Sequence, residues 1–174
     1  MRLFIGIKTG TEKQLSALQS ELARAGTGKF VPSENLHLTL KFLGEVNPKR
    51  IGSIQQAMDE VSAVPFRLQT LGAHPFGKSG LVVAGVGGDL SQLAALHAQL
   101  DNALAKRSFA KDDRPYRPHI TLARKYYTGD DTIGDIEALP FEPCPFTVRE
   151  IILFESKRVD GRLYYVREYG QTLG

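Results

Sequence analysis

Short apolar runs alternate along the chain with polar and glycine-rich segments, and this pattern predicts the strands. Runs rich in β-branched and aromatic residues, or with apolar and polar positions in alternation, are typical of strands. They occur at residues 2–8, 66–71, 81–86, 146–155 and 163–169. The last two are separated by Asp160-Gly161, a dipeptide that favours a β-hairpin turn.

Three segments carry apolar residues at the spacing of an amphipathic helix. The first begins after Thr11, which forms a capping-box pattern with Gln14, and ends at Gly26. The second begins at Asn47-Pro48, because proline is favoured at the first helical position. The third begins after Gly87-Gly88-Asp89. Strands and helices therefore alternate through most of the chain.

Composition is that of a soluble globular protein. Hydrophobic residues make up 42% of the chain and charged residues 24%. Residues 128–145 are rich in Asp, Gly and Pro, which predicts a surface loop, and no low-complexity linker divides the chain. One domain spanning residues 1–174 is therefore expected.

Charge and cysteine usage narrow the function classes. No apolar run is long enough to span a bilayer, so a cytoplasmic protein without a membrane partner is expected. Cys144 is the only cysteine, which excludes an internal disulfide and a thiolate-rich metal site. A net charge of +3 is compatible with a phosphate-containing ligand but does not require one.

Two short stretches share the pattern His-x-Thr-Leu with an aliphatic residue at x. They are His37-Leu38-Thr39-Leu40 and His119-Ile120-Thr121-Leu122. On a strand, alternate side chains share a face, so each stretch places an imidazole and a hydroxyl together, opposite two aliphatic residues. The first motif strand is predicted to run to Leu43, and Pro115 and Pro118 make the approach to the second one rigid. Two such strands side by side would form one pocket.

Two histidines on either side of one phosphorus atom form a complete acid–base pair. Histidine titrates near neutral pH, so one imidazole can remove a proton from the attacking oxygen while the other protonates the leaving oxygen. Threonine hydroxyls on the same face can donate hydrogen bonds to the phosphate oxygens. A strained five-membered cyclic phosphate would need no metal for ring opening, so no cofactor is expected.

The residues around both motifs resemble a known superfamily. The segments 35–45 (NLHLTLKFLGE) and 114–124 (RPYRPHITLAR) resemble the two signatures of the 2H phosphoesterases. Within that superfamily the chain is most similar to the bacterial and archaeal RNA 2′,3′-cyclic phosphodiesterases, also called 2′-5′ RNA ligases. Residues 2–7 and 153–156 extend the resemblance, which runs from near the first residue to about Tyr169.

The resemblance implies a fold, a reaction and roles for five residues. The implied fold is α+β and bilobal, with two mainly antiparallel sheets, helices outside them and a central cleft between the two motif strands. The implied reaction is hydrolysis of an RNA 2′,3′-cyclic phosphate end to a 2′-phosphate, so that the 3′ oxygen departs. His37 then matches the proton donor and His119 the acceptor, Thr39 and Thr121 match phosphate-binding hydroxyls, and Arg114 helps to hold the phosphate. The expected partner is RNA with such ends, tRNA fragments among them, and a monomer is expected.

Three further candidates come from positions beside the motifs. By alternation, Lys41 shares the face of His37 and Arg117 shares the face of His119, so either could contact phosphate. A solvated basic side chain is the alternative for both. Phe42 could stack on a base, although phenylalanine more commonly lies in a core.

Other candidate motifs are rejected. Residues 72–79 satisfy the P-loop pattern, but that pattern needs a helix to begin at the lysine, and the strand-forming residues 81–86 follow instead. A turn is predicted, with His74 exposed in it, and His97 is expected beside the apolar stripe of the third helix. Zinc needs three or four ligands at short spacings, whereas the four histidines are scattered, so metal dependence is not expected.

Some functions remain open at the level of sequence. The same site could act on a small nucleotide, such as ADP-ribose cyclic phosphate or a 2′-5′ oligonucleotide. The chain could also be an RNA-end-binding module without turnover. Ring opening could run in reverse as well, joining a cyclic phosphate end to a 5′-hydroxyl end without ATP, because the same acid–base pair serves both directions.

Overall fold

Two antiparallel sheets form the framework of the protein. The computed structural model describes residues 1–129 and 133–174. The strands are β1 Arg2–Ile7, β2 Thr27–Phe30, β3 Leu38–Glu45, β4 Phe66–Pro75, β5 Val82–Gly88, β6 Ile120–Tyr127, β7 Cys144–Val148, β8 Glu150–Val159 and β9 Arg162–Thr172. The α-helices are α1 Glu12–Ala25, α2 Ile51–Asp59 and α3 Leu90–Ala105. Short 3-10 helices lie at Ser33–Asn35, Pro48–Arg50 and Ile133–Ala138.

The two motif strands belong to different sheets. The four-stranded sheet has the order β3-β1-β8-β9, and the five-stranded sheet has the order β2-β6-β5-β4-β7. All of these strand pairs are antiparallel. The predicted α+β fold with two antiparallel sheets is confirmed. One His-x-Thr motif lies at the start of β3 and the other at the start of β6.

The helices cover the sheets with apolar faces. Leu15, Leu18 and Leu22 of α1 are buried, and α1 packs against β2 and β6. The helices α2 and α3 pack against each other, while α3 also contacts β3 and α2 contacts β9. The N-terminal helix therefore covers the five-stranded sheet, and the two later helices cover the four-stranded one. Residues of both sheets and of all three helices therefore belong to one hydrophobic core.

The predicted start of α3 and the predicted β8–β9 turn form as expected, whereas the predicted capping box of α1 does not. Asp89 caps α3, because its carboxylate accepts from the backbone N–H of Gln92 at 3.2 Å. Thr11 does precede α1, but its hydroxyl pairs with that of Thr9 at 2.7 Å, so the predicted capping box does not form. The turn between β8 and β9 contains Asp160 and Gly161, both with positive φ, as the hairpin signal predicts.

The segment 146–155 is not one strand, and that prediction was wrong. The chain forms β7 in the five-stranded sheet, breaks at Arg149, and then forms β8 in the four-stranded sheet. The apolar pattern continues across the break because both strands face buried surroundings. Strand β2 was not predicted, since its four residues, TGKF, include a glycine and a lysine, and pairing with β6 holds it in place.

The predicted surface loop at 128–145 also contains structure. The last 3-10 helix lies within it and buries Ile136, which is 1% exposed, while residues 130–132 lie outside the described part of the chain. Strand β4 extends to Pro75, so half-buried His74 pairs with Val83 instead of lying exposed in a turn. The turn predicted in place of a P-loop is confirmed, because strand β5 follows it and no helix begins at Lys78.

Candidate active site

A small cavity lies between the two motif strands and brings both His-x-Thr motifs together. This central cavity has a volume of about 50 Å³. Its lining residues are Val31, Asn35, His37, Thr39, Phe42, His119, Thr121, Arg124 and Tyr165. The four motif side chains thus share one site, although they come from different sheets.

The ring of His37 is fixed by hydrogen bonds at both nitrogens. Nδ1 lies 2.6 Å from the carbonyl oxygen of Asn35. A carbonyl oxygen can only accept, so Nδ1 carries the proton in the neutral ring and Nε2 is left as an acceptor. Nε2 accepts from the Thr39 hydroxyl at 2.8 Å. Asn35 is itself buried, and its side-chain amide donates to the carbonyl of Leu163 at 3.0 Å.

His119 repeats this arrangement on the other side of the cavity. Its Nδ1 lies 2.7 Å from the carbonyl oxygen of Arg117, which is also two residues earlier in the chain. The same reasoning places the proton of the neutral ring on Nδ1 and leaves the Nε2 lone pair for chemistry. Both histidines therefore present equivalent nitrogens, in equivalent protonation states, to one site.

Burial and nearby positive charge keep both imidazoles neutral in the free protein. Burial lowers the pKa of His37 to about 4, and the positive charges of Lys8 and Arg124 act in the same direction, whereas the hydrogen bond to the Asn35 carbonyl opposes them. Burial also lowers the pKa of His119, and the charge of Arg117 adds to this effect. At neutral pH each ring can therefore accept a proton at Nε2.

Aromatic side chains hold each histidine ring in place. His37 lies over Phe4, with ring centroids 4.8 Å apart, and meets Tyr165 edge-on at 5.1 Å. His119 lies against Phe76 at 4.3 Å. Neither Tyr165 nor Phe76 was predicted as a site residue, because both lie far along the chain from the motifs and no local pattern marks them.

Lys41 does not reach the site, and its prediction from strand alternation was wrong. Gly6 pairs with Thr39 and Ile5 with Lys41, so Leu40 is an extra residue in β3 and forms a β-bulge. The bulge turns Lys41 to the other face, where its side chain is only 3% exposed. All three ammonium hydrogens have acceptors there, namely carboxylates of Asp101 and Asp112 and the carbonyl of Ala110.

The same bulge turns Phe42 towards the cavity. Phe42 is 69% exposed, so the alternative of a core position is wrong, and the ring lies at the edge of the central cavity. Strand β6 has an equivalent irregularity, because Val83 pairs with Thr121 and Val82 with Ala123, which leaves Leu122 extra.

Arg124 holds in β6 the place that Phe42 holds in β3, since each follows its motif histidine at the same spacing. Both side chains line the central cavity, because the bulge at Leu122 has the same effect as the one at Leu40. Arg124 was not among the site residues predicted from the sequence. The equivalent spacing from the two histidines was the signal that could have found it.

Arg114 and Arg117 lie beside the central cavity rather than in it. Both are exposed and line a neighbouring cavity of about 570 Å³, the Phe76 cavity. Its lining residues are Thr39, Leu40, Phe42, Phe76, Asp112, Asp113, Arg114, Pro115, Tyr116, Arg117 and His119. The guanidinium of Arg117 stacks over the Phe76 ring at 4.5 Å. The structure therefore brings both arginines next to the central cavity, where they line a space of nucleoside size.

Among the residues described, no helix is long and apolar enough to cross a membrane. Over the same residues, no three His, Cys, Asp or Glu side chains form a group able to hold a metal ion. His97 is partly buried on α3 and stacks on Tyr116, with ring centroids 4.3 Å apart, which confirms its predicted place beside the apolar stripe.

The paired motif strands facing one cavity are the arrangement expected of a 2H phosphoesterase. The chain belongs to the 2′-5′ RNA ligase superfamily, whose family model matches residues 8–160. The predicted family is thereby confirmed.

Curated relatives and solved structures agree with this family. An Aeropyrum pernix protein named RNA 2′,3′-cyclic phosphodiesterase is 28% identical, covering 88% of this chain and 94% of its own length. A Thermotoga maritima protein of the same name is 31% identical, covering 90% of this chain and 87% of its own. The crystal structure of Escherichia coli LigT complexed with 3′-AMP superposes with a TM-score of 0.82 at 26% identity, covering 99% of this chain and 97% of that one.

Proposed function

We propose that this protein hydrolyses RNA 2′,3′-cyclic phosphodiester ends to 2′-phosphomonoesters, acting as a single bilobal catalytic domain. The observation that carries the proposal is the central cavity, where two histidines with the same hydrogen-bond pattern come from facing strands. The curated relatives, named RNA 2′,3′-cyclic phosphodiesterase, support the same activity. The proposal also includes RNA fragments, such as pieces of tRNA, as substrates. It further includes a monomeric state and a cytoplasmic location.

In this mechanism the two histidines exchange protons with opposite ends of the reaction. Nε2 of neutral His119 removes a proton from the attacking water as its oxygen bonds to phosphorus. Nε2 of protonated His37 gives its proton to the departing 3′ oxygen, so the phosphate remains on the 2′ oxygen. The fixed Nδ1–H bonds support the use of Nε2 in both roles, because they occupy the other ring nitrogen of each histidine.

His37 must be charged to act as the acid, and the bound phosphate provides the reason. An anion in the central cavity favours the imidazolium and raises the low pKa that His37 has in the free protein. Once Nε2 is protonated it can no longer accept from Thr39. The Thr39 hydroxyl is then able to donate to a phosphate oxygen, as Thr121 and Arg124 do from the other strand.

The remaining predicted residues bind the nucleotide in this proposal. Arg114 and Arg117 contact phosphate from the Phe76 cavity, and Phe42 stacks on a base. Lys41 has no part in binding, because its hydrogens are already used. A 5′-hydroxyl of a second RNA could replace water as the nucleophile, which would give ATP-independent 2′-5′ joining by the same acid–base pair.

The test is hydrolysis of an oligoribonucleotide that ends in a 2′,3′-cyclic phosphate, followed by mapping of the hydroxyl that keeps the phosphate. We expect a 2′-phosphate and turnover that persists in EDTA. His37→Ala and His119→Ala should each lower turnover by about 10²–10⁴-fold with folding intact by circular dichroism. Lys49→Ala is the control, since this residue is exposed and lines neither the central cavity nor the Phe76 cavity.

The alternatives give different results in the same assay. Faster turnover of a small cyclic nucleotide, ADP-ribose cyclic phosphate or a 2′-5′ oligonucleotide would change the substrate but keep the site. Tight binding of the RNA end without any product, with both histidines present, would indicate a binding module. Unchanged rates in both histidine variants would refute the acid–base assignment.

A further inference from the structure

A third cavity also has Phe42 in its lining and has no role in the proposed hydrolysis. This Arg158 cavity has a volume of about 680 Å³. Its lining residues are Arg2, Leu3, Phe4, Phe42, Gly44, Glu45, Arg124, Ser156, Arg158, Leu163 and Tyr165. Most of them alternate along β1, β8 and β9, so one face of the four-stranded sheet forms the floor.

Positive charge distinguishes this cavity. Three arginines line it, against the single carboxylate of Glu45, which lies 3.5 Å from the N-terminal ammonium group. Within residues 1–129 and 133–174, no carboxylate forms an ion pair with Arg2, Arg124 or Arg158. The cavity can therefore offer guanidinium groups to a polyanion without first breaking an ion pair in the described structure.

The three arginines line this cavity together with Tyr165. Burial raises the pKa of Tyr165, and the positive charges of Arg124, Arg2 and Arg158 act in the opposite direction. Tyr165 also lines the central cavity. The basic surface is thus continuous with the phosphate site rather than separate from it.

The two large cavities differ in chemistry. The Phe76 cavity has aromatic and aliphatic walls, and its two arginines, Arg114 and Arg117, are balanced by two aspartates, Asp112 and Asp113, so it lacks the excess of positive charge that the Arg158 cavity has. Apolar walls suit the flat faces of a base, whereas the arginines of the Arg158 cavity suit phosphates. Phe42 lines both of these cavities and the central one, so the two kinds of space adjoin the central cavity at this residue.

We propose that the Arg158 cavity binds the phosphodiester chain that precedes the terminal nucleotide of the RNA. This inference rests on the proposed function, because it describes the rest of the same substrate. It assigns Arg2 and Arg158 as phosphate-binding residues that act on polynucleotides and not on the reacting group. The terminal base then occupies the Phe76 cavity.

The experiment compares two substrates with the same reactive end, adenosine 2′,3′-cyclic phosphate and a ten-nucleotide RNA ending in it. Arg2→Ala and Arg158→Ala should each lower kcat/KM for the oligonucleotide by about fivefold to tenfold, and leave the mononucleotide unchanged. The slope of log kcat/KM against log salt for the oligonucleotide should become shallower by about 0.7 for each phosphate that no longer has an arginine partner. Arg67→Ala is the control, because Arg67 is exposed on β4, outside all three cavities.

The outcomes separate this inference from the proposed function. Equal loss on both substrates, or no loss beyond that of Arg67→Ala, would refute the inference while hydrolysis itself stands. A loss confined to joining of a second RNA, with hydrolysis of the oligonucleotide unchanged, would assign the cavity to the acceptor strand and refute it too. Absence of turnover on both substrates by the unaltered protein would refute the proposed function, and the inference with it.

Discussion

Each catalytic candidate has its tautomer set by a backbone carbonyl two residues earlier. His37 and His119 both direct Nδ1–H to such a carbonyl, so each can exchange a proton with substrate only at Nε2. The His-x-Thr pattern predicts the shared face of imidazole and hydroxyl. It does not predict the carbonyl contact, because that depends on the irregular backbone before each strand.

The lowered pKa values of these residues predict an acid-shifted pH profile. Values of kcat/KM report the free enzyme, in which burial lowers the pKa of both His37 and His119. Catalysis requires one neutral and one charged ring, and the fraction of the protein with a charged ring falls as the pH rises above about 6.5. We expect kcat/KM to decline from about pH 6.5 upwards. The alkaline limb of kcat should lie at higher pH, because bound phosphate raises the pKa of His37.

Initial rates across a pH series at constant ionic strength would check this profile. A value of kcat/KM that rises steadily between about pH 6.5 and pH 8 would contradict this profile. Such a rise would require an essential base with a pKa above that of an unperturbed histidine, whereas the pKa values of His37 and His119 are lowered. The comparison of the kcat and kcat/KM limbs is the informative part, because general instability would affect both alike.

At the scale of elements, two bulges decide which side chains reach the site. Alternation holds as far as Thr39 and Thr121 and fails at the next residue, where Leu40 and Leu122 add one position each. An apolar leucine gives no signal of a bulge, so Lys41 was assigned to the wrong face. The His-x-Thr pattern alone located both motifs, because it spans only three residues and ends before the bulge in each strand.

The Lys41 ammonium joins β3 to the loop that leads to His119. It donates to Asp101 on α3 at 2.7 Å and to Asp112 and Ala110 in the loop, each at 2.8 Å. Burial alone would raise the pKa of Asp112, yet the hydrogen bonds from Lys41 and His97 hold it below its usual value. This cluster therefore anchors the segment that carries Arg114 and the carbonyl partner of His119.

Replacing Lys41 by methionine should weaken both stability and catalysis. The change leaves Asp101 and half-exposed Asp112 without their cation, so we expect the free energy of unfolding to fall by about 2–4 kcal/mol. Values of kcat/KM should fall as well, since the loop loses its anchor. Lys49→Met removes an equal charge from an exposed position and should change neither quantity.

Urea denaturation and steady-state kinetics on the two variants would measure these effects. A Lys41→Met protein as stable as the unaltered chain would show that the buried cluster contributes no net stability. A loss of stability with full kcat/KM at a temperature where the variant is folded would instead show that the cluster does not position the loop.

At the scale of the whole molecule, the site exists only because two sheets face each other. Periodicity predicted most strands and all three helices, since each depends on its own residues. It could not predict that β7 and β8 lie in different sheets, or that β2 pairs with β6, because those partners are chosen by contacts between distant segments. Tyr165 and Phe76 were missed for the same reason.

Placing a neutral histidine between these sheets makes the whole fold sensitive to acid. His37 protonates near pH 6.5 in the unfolded chain but only near pH 4 when folded, so the unfolded state binds more protons between these values. The stability contributed by the neutral ring is present above about pH 6.5 and is lost as the pH falls towards 4. When the pH is lowered from about 7 to about 4.5, we expect the free energy of unfolding to fall by about 2 kcal/mol less for His37→Gln than for the unaltered protein. Urea denaturation of both proteins across this pH range would measure the difference. Parallel pH curves for the two proteins would show that folding does not bury His37 in its neutral form.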